Sequence, residues 1–103
     1  MNIVKEIGEP AALEQLAEEC AELAQAALKI ARIERGENPT PVQWIAAQRL
    51  LLEEIADVEV CLSVLSTGNV LNLDYIQNVA DLKLKRWKER IGQKNREQTR
   101  KGK

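Results

Sequence analysis

Residues 10–35 read PAALEQLAEECAELAQAALKIARIER, a run with no Gly and no Pro beyond its first residue. Leu13, Leu16, Ala17, Cys20, Leu23, Ala24, Ala27, Leu28 and Ala31 recur along it at steps of three and four, the period of a helix with one apolar face. Pro10 suits the first turn of that helix, where its missing N–H leaves no bond unmade. Gly36-Glu37-Asn38-Pro39 then supplies a stop.

Outward from this block the same grammar repeats. Thr40-Pro41-Val42-Gln43 reads as a capping box, with Thr at the cap, Pro at the first helical position and Gln at the third. It opens a second helix from Pro41 to about Ser66, with Trp44, Ala47, Leu50, Leu51, Ile55, Val58, Cys61, Leu62 and Leu65 on one side. Thr67-Gly68-Asn69 ends it. Asn72 or Asp74 caps a third helix that reaches about Ile91, before Gly92 and a polar run. Neither strand-like alternation nor an internal repeat is present. The expectation is an all-α fold, an antiparallel helical hairpin plus a third helix, completing a four-helix-bundle-type core by oligomerisation. Residues 1–92 form the domain, and residues 93–103 form a basic tail expected to fray, since they hold no apolar anchor.

Composition narrows the chemistry. The chain has 103 residues, no His, no Phe and two Cys. Imidazole bases, Ser-His and Cys-His nucleophile pairs and His-ligated metals are therefore excluded. Two Cys make neither a zinc site alone nor a disulfide scaffold, and Cys20 and Cys61 read as inert packing thiols. No basic start followed by a long apolar stretch is readable, and no apolar run approaches a membrane span, so a cytoplasmic protein without membrane partners is expected. Charge is uneven: residues 1–82 carry 5 basic and 14 acidic side chains, and residues 83–103 carry 10 and 2.

Two acidic clusters carry the functional signal, Glu18-Glu19-Cys20-Ala21-Glu22 and Glu53-Glu54-Ile55-Ala56-Asp57. Each holds a pair three residues apart, Glu19 with Glu22 and Glu54 with Asp57, so each pair shares one face of its helix. At about 100° per residue Glu54 falls inside the apolar stripe, between Leu50 and Val58, where an ionised carboxylate needs a cation, a donor or a proton. Asp57 lies at the edge of that stripe, Glu19 borders the apolar face of the first helix, and Glu53 faces solvent. Antiparallel packing of the two stripes would bring four carboxylates together at mid-helix. Such a cluster suits a divalent metal, Mg²⁺ or Mn²⁺ given oxygen ligands alone. A salt bridge from Glu54 to Lys83, Arg86 or an oligomer partner is the alternative reading. A di-iron centre is disfavoured, because its Glu-x-x-His elements need His.

Glu-Glu-x-x-Glu on one helix followed by Glu-x-x-Asp on the next, here Glu18, Glu19 and Glu22 and then Glu54 and Asp57, resembles the MazG-like all-α nucleoside triphosphate pyrophosphohydrolases, over roughly residues 10–91. Their superfamily includes the dimeric dUTPases and phosphoribosyl-ATP pyrophosphohydrolase. The resemblance implies Mg²⁺-dependent hydrolysis of a nucleoside triphosphate to the monophosphate and pyrophosphate, in nucleotide house-cleaning. It implies that Glu19, Glu22, Glu54 and Asp57 hold Mg²⁺, with Mn²⁺ as a substitute, and that Glu18 helps bind a second metal or orients the attacking water, so that Glu18 and Glu19 are the catalytic candidates. Lys83 and Arg86 match its phosphate-binding positions; with Trp87 and Arg90 they share one face of the third helix. Homo-oligomers are implied as well, a tetramer preferred over a dimer. Trp44 and Trp87 read as core or interface residues. Two other functions compete. One is a non-catalytic helical interaction module, and the other, less favoured, is a nucleic-acid-binding protein using the basic C-terminal stretch.

Overall fold

A computed structural model of the chain describes residues 1–37 and 44–102. It contains four helices and no strand among the described residues: α1 (Ile3–Ile7), α2 (Glu9–Arg35), α3 (Trp44–Leu65) and α4 (Leu73–Lys101). The chain divides into two compact units, Met1–Val70 and Leu71–Lys103. The Thr40–Gln43 capping box lies outside the described residues.

Within the first unit α2 and α3 form an antiparallel hairpin. The Trp44 indole Nε1–H at the start of α3 donates to Glu34 near the end of α2, at 3.4 Å. At the other end the Asn69 N–H donates to Glu9 Oε1 at 3.0 Å. Alanine brings the helices close: Ala12 and Ala26 on α2 and Ala47 on α3 are buried, with Cys61 and Leu65 completing the core. Leu65 is wholly buried, and Leu16, Leu23, Leu51 and Val58 are half-buried around this seam. Trp44, Leu50, Ile55 and Leu62, expected on the same side as Ala47, are instead exposed. The buried line runs through Ala47, Leu51, Glu54, Val58, Cys61 and Leu65, the three-and-four spacing of one helix face.

The ends of α2 follow from its glycines. Gly8 holds φ 88° and precedes Pro10 in the first turn. Gly36 adopts the left-handed conformation at φ 70°, which carries no Cβ penalty for Gly. There the Gly36 and Glu37 N–H groups close back on Ile33 and Arg32, both at 3.1 Å. The short helix α1, absent from the sequence expectation, is capped by Asn2, whose Oδ1 accepts from the Lys5 N–H at 3.2 Å. The Thr67 hydroxyl stands 2.7 Å from the Val64 carbonyl and 3.3 Å from the same Asn2 oxygen. Together with the Glu9–Asn69 bond, these contacts fasten the start of the unit to the turn after α3.

The second unit is α4 alone. Asn72, not Asp74, is its cap, accepting from the Tyr75 N–H at 3.0 Å. The helix passes through Gly92 and continues to Lys101 rather than stopping near Ile91. One Gly costs a helix only about 1 kcal/mol against Ala, and the Gln, Lys, Arg and Glu that follow are good helix formers. No helix among the described residues is long and apolar enough to cross a membrane.

Candidate metal centre

The hairpin register decides which acidic side chains meet. Since Glu9 stands level with Asn69 and Glu34 with Trp44, the middle of α2 stands level with the middle of α3. Glu19 and Glu22 lie one turn apart on α2, as Glu54 and Asp57 do on α3, so the two pairs face one another. One carboxylate oxygen from each of the four residues can be chosen so that all lie within 4.8 Å of one another. Glu19 and Glu54 are half-buried, while Glu22 and Asp57 are exposed. The cluster therefore has a sheltered floor and an open mouth.

The floor is electrostatically unsettled. Glu19 Oε1 accepts from the Gln15 amide at 2.9 Å. Glu19 Oε2 and Glu54 Oε2 are shielded from solvent and have no hydrogen-bond partner among the described residues. Burial pushes the Glu19 carboxyl above its ordinary range; the Gln15 bond opposes this, and the charges of Glu22 and Asp57 add to it. Glu54 is raised for the same leading reason, then by the charge of Glu22 and a hydrogen bond to it, and further by Asp57 and Glu19. The protein thus holds like charges together with too few donors, and a carboxylate oxygen without a donor is costly. A hard cation answers this arrangement. Oxygens on opposite sides of a cation with bonds of about 2.1–2.5 Å stand about 4–5 Å apart, the spread these four present. The donor set, carboxylate oxygen alone, suits Mg²⁺, Mn²⁺ or Ca²⁺ rather than a soft metal.

Glu18 and Glu53 fall outside the cluster. Glu18 is exposed and does not belong to the group of four, being turned about 100° from Glu19 on α2. Glu53 is exposed, as its place opposite the stripe requires. Lys83, Arg86, Trp87 and Arg90 line one open groove along α4, and Trp87 is exposed rather than core. Cys20 is exposed, against the expectation of a packing thiol, whereas Cys61 is buried. Burial, followed by the charges of Glu19 and Asp57, pushes the Cys61 thiol up. Gln15 was missing from the sequence reading. Its signal is the four-residue step to Glu19, which pairs side chains on one helix face.

No family model, no curated protein and no solved structure matches the chain.

Proposed function

We propose that the chain is a Mg²⁺-dependent nucleoside triphosphate pyrophosphohydrolase, cleaving an NTP or dNTP to the monophosphate and pyrophosphate. The observation that carries this reading is the convergence of Glu19, Glu22, Glu54 and Asp57 across two helices, with two sheltered oxygens unpartnered. These are the residues and the order in which the chain resembles the MazG-like enzymes. Glu19, Glu22, Glu54 and Asp57 would hold Mg²⁺, or Mn²⁺ in its place. When bound, such an ion would neutralise phosphate oxygens and make water a nucleophile at neutral pH, so that no His is required.

The chain's own residues divide the remaining work. Glu19 is held by Gln15, which fixes one of its oxygens and leaves the other for the cluster. Glu54 anchors the floor. Glu18, exposed one residue before Glu19, would help bind a second metal or orient the attacking water. Lys83 and Arg86 are the proposed phosphate-binding cations, which would stabilise charge on the departing pyrophosphate. House-cleaning of nucleotides by a cytoplasmic homo-oligomer, a tetramer preferred over a dimer with both open, completes the proposal.

The test is pyrophosphate release from a panel of canonical and modified NTPs and dNTPs, with Mg²⁺ and with EDTA. Release that requires Mg²⁺ and yields the matching monophosphate supports the reading. A second reading, a helical interaction module without turnover, draws on the apolar side chains that α3 exposes. It predicts no Mg²⁺-dependent release from any nucleotide and no Mn²⁺ binding lost on Glu54→Gln.

A further inference from the structure

The mouth of the acidic cluster continues along the hairpin. Seven residues make nearly two full turns, so Lys29 falls about 20° from Glu22 on α2, and Leu50 the same angle from Asp57 on α3. The helices run antiparallel, so both steps lead the same way, toward the end where Trp44 donates to Glu34. Glu22 and Asp57 are the two exposed members of the cluster. Lys29 therefore lies on the flank of the seam onto which the cluster opens, with Leu50 level with it on α3.

Burial and charge single out this lysine. Residues 1–70 hold five basic side chains against twelve acidic ones. Of the five, Lys29 alone is half-buried, while Lys5, Arg32, Arg35 and Arg49 are exposed. A lysine in that state lays its stem along the protein and keeps its ammonium in water. Side chains on a helix lean toward its N-terminus, so Lys29 leans back over the turn that separates it from Glu22. The axial gap of about 10.5 Å is thereby shortened to the reach of a short polyphosphate chain. A polyanion meets a repulsive field over most of so acidic a unit, and Lys29 is the positive charge beside the acids on their open side.

We propose that Lys29 is a phosphate-binding residue, whose ammonium donates to the terminal phosphate of a polyphosphate chain that begins at the four carboxylates. This deepens the function put forward above and rests on its reading of the cluster as a divalent-ion site. It places one phosphate cation on the hairpin itself, apart from Lys83 and Arg86 on α4. A single phosphate at the cluster falls short of Lys29, so the residue selects for chain length and favours triphosphates.

Calorimetry of the full chain in excess Mg²⁺ tests it, with inorganic triphosphate and orthophosphate as probes. Wild type is expected to bind triphosphate the more tightly. Lys29→Ala should weaken triphosphate binding by about tenfold or more, as the loss of a charged hydrogen bond does, and leave orthophosphate unchanged. Lys29→Arg should stay near wild type, and so should Lys5→Ala, which removes an equal charge from α1. Mn²⁺ titration without phosphate gives a second readout. Taking a cation away from the acids should leave Mn²⁺ affinity equal or raised, whereas a merely structural role would lower both affinities. Wild type that binds Mn²⁺ but no triphosphate overturns the proposal and leaves the ion site standing. Triphosphate binding no weaker in Lys29→Ala than in Lys5→Ala does the same, as does a joint loss of Mn²⁺ affinity in Lys29→Ala. A wild type that binds no Mn²⁺ rejects the ion site, and the subsite falls with it. Triphosphate binding lost in Lys29→Ala, from a protein that releases no pyrophosphate from any nucleotide, rejects the hydrolase alone.

Discussion

Glu19 of α2 and Glu54 of α3 each shelter one carboxylate oxygen without a hydrogen-bond partner among the described residues, and the two residues belong to one four-carboxylate cluster spread over no more than 4.8 Å. Either orphan alone would be an isolated cost. Facing each other with Glu22 and Asp57 beside them, they form a place where added positive charge lowers the energy of the whole hairpin.

Glu54→Gln separates charge from shape. It keeps the size of the side chain and removes one negative charge from the cluster. Mg²⁺-dependent pyrophosphate release should fall by about 100-fold or more, in line with the loss of a group that organises catalytic charge. Mn²⁺ affinity, followed by calorimetry, should fall with it, while the thermal midpoint of the metal-free protein should rise. A variant with full activity would falsify the assignment.

The acidic cluster sets a pH dependence whose sign is fixed. Glu19 and Glu54 have folded-state values raised from the ordinary 4.5, so the folded protein binds more protons than the unfolded chain just above that pH. Their contribution to stability is therefore greatest below 4.5 and is lost as pH rises through the raised values. The difference in thermal midpoint between wild type and Glu54→Gln should widen over that interval in EDTA. Saturating Mg²⁺ should shrink or reverse it, because an ion favours the charged forms.

Leu65 reports on the core rather than the site. Among the described residues it is the one large side chain that is fully buried, so Leu65→Ala should cost about 2–5 kcal/mol. Urea denaturation of the metal-free protein measures this directly.

Removing residues 93–103 should leave Mg²⁺-dependent hydrolysis within about twofold, since surface segments away from such features contribute little. That segment carries much of the basic charge but none of the residues assigned to the site. If the truncated chain instead loses a salt-sensitive affinity for nucleic acid, the basic stretch has the competing role.

Glu54 was legible in the sequence because helical periodicity alone sets it on the ridge between Leu50 and Val58, where a carboxylate is out of place. Its meeting with Glu19 followed from antiparallel pairing of two helices broken by Gly and Pro. Other features were hidden for physical reasons. Five residues of α1 are too few to show a period, and its support comes from Asn2 capping and contacts distant in sequence. The continuation of α4 past Gly92 depends on the sum of many weak helix preferences, which outweighs one glycine. On α3 nearly every face is apolar, so the wheel offers no unique inner side. Ile55 and Leu62 were therefore grouped with Ala47 and Leu65, although the structure leaves them exposed. Glu18 and Glu19 are adjacent in the sequence, yet the helix sends only Glu19 inward.

The Glu9–Asn69 clasp lies far along the hairpin from the carboxylates, yet it governs them as a ruler governs a measurement. One helical turn is about 5.4 Å of travel, more than the whole spread of the four ligand atoms. If α2 slid past α3 by that amount, Glu19 and Glu22 would face different neighbours and the four carboxylates would no longer converge. A Cβ at Gly68 would come within 2.8 Å of Glu9 Oε1, so even a methyl group at that turn would press on the side chain that keeps the hairpin aligned. Changes at this remote corner should therefore be felt as altered metal affinity before they are felt as unfolding.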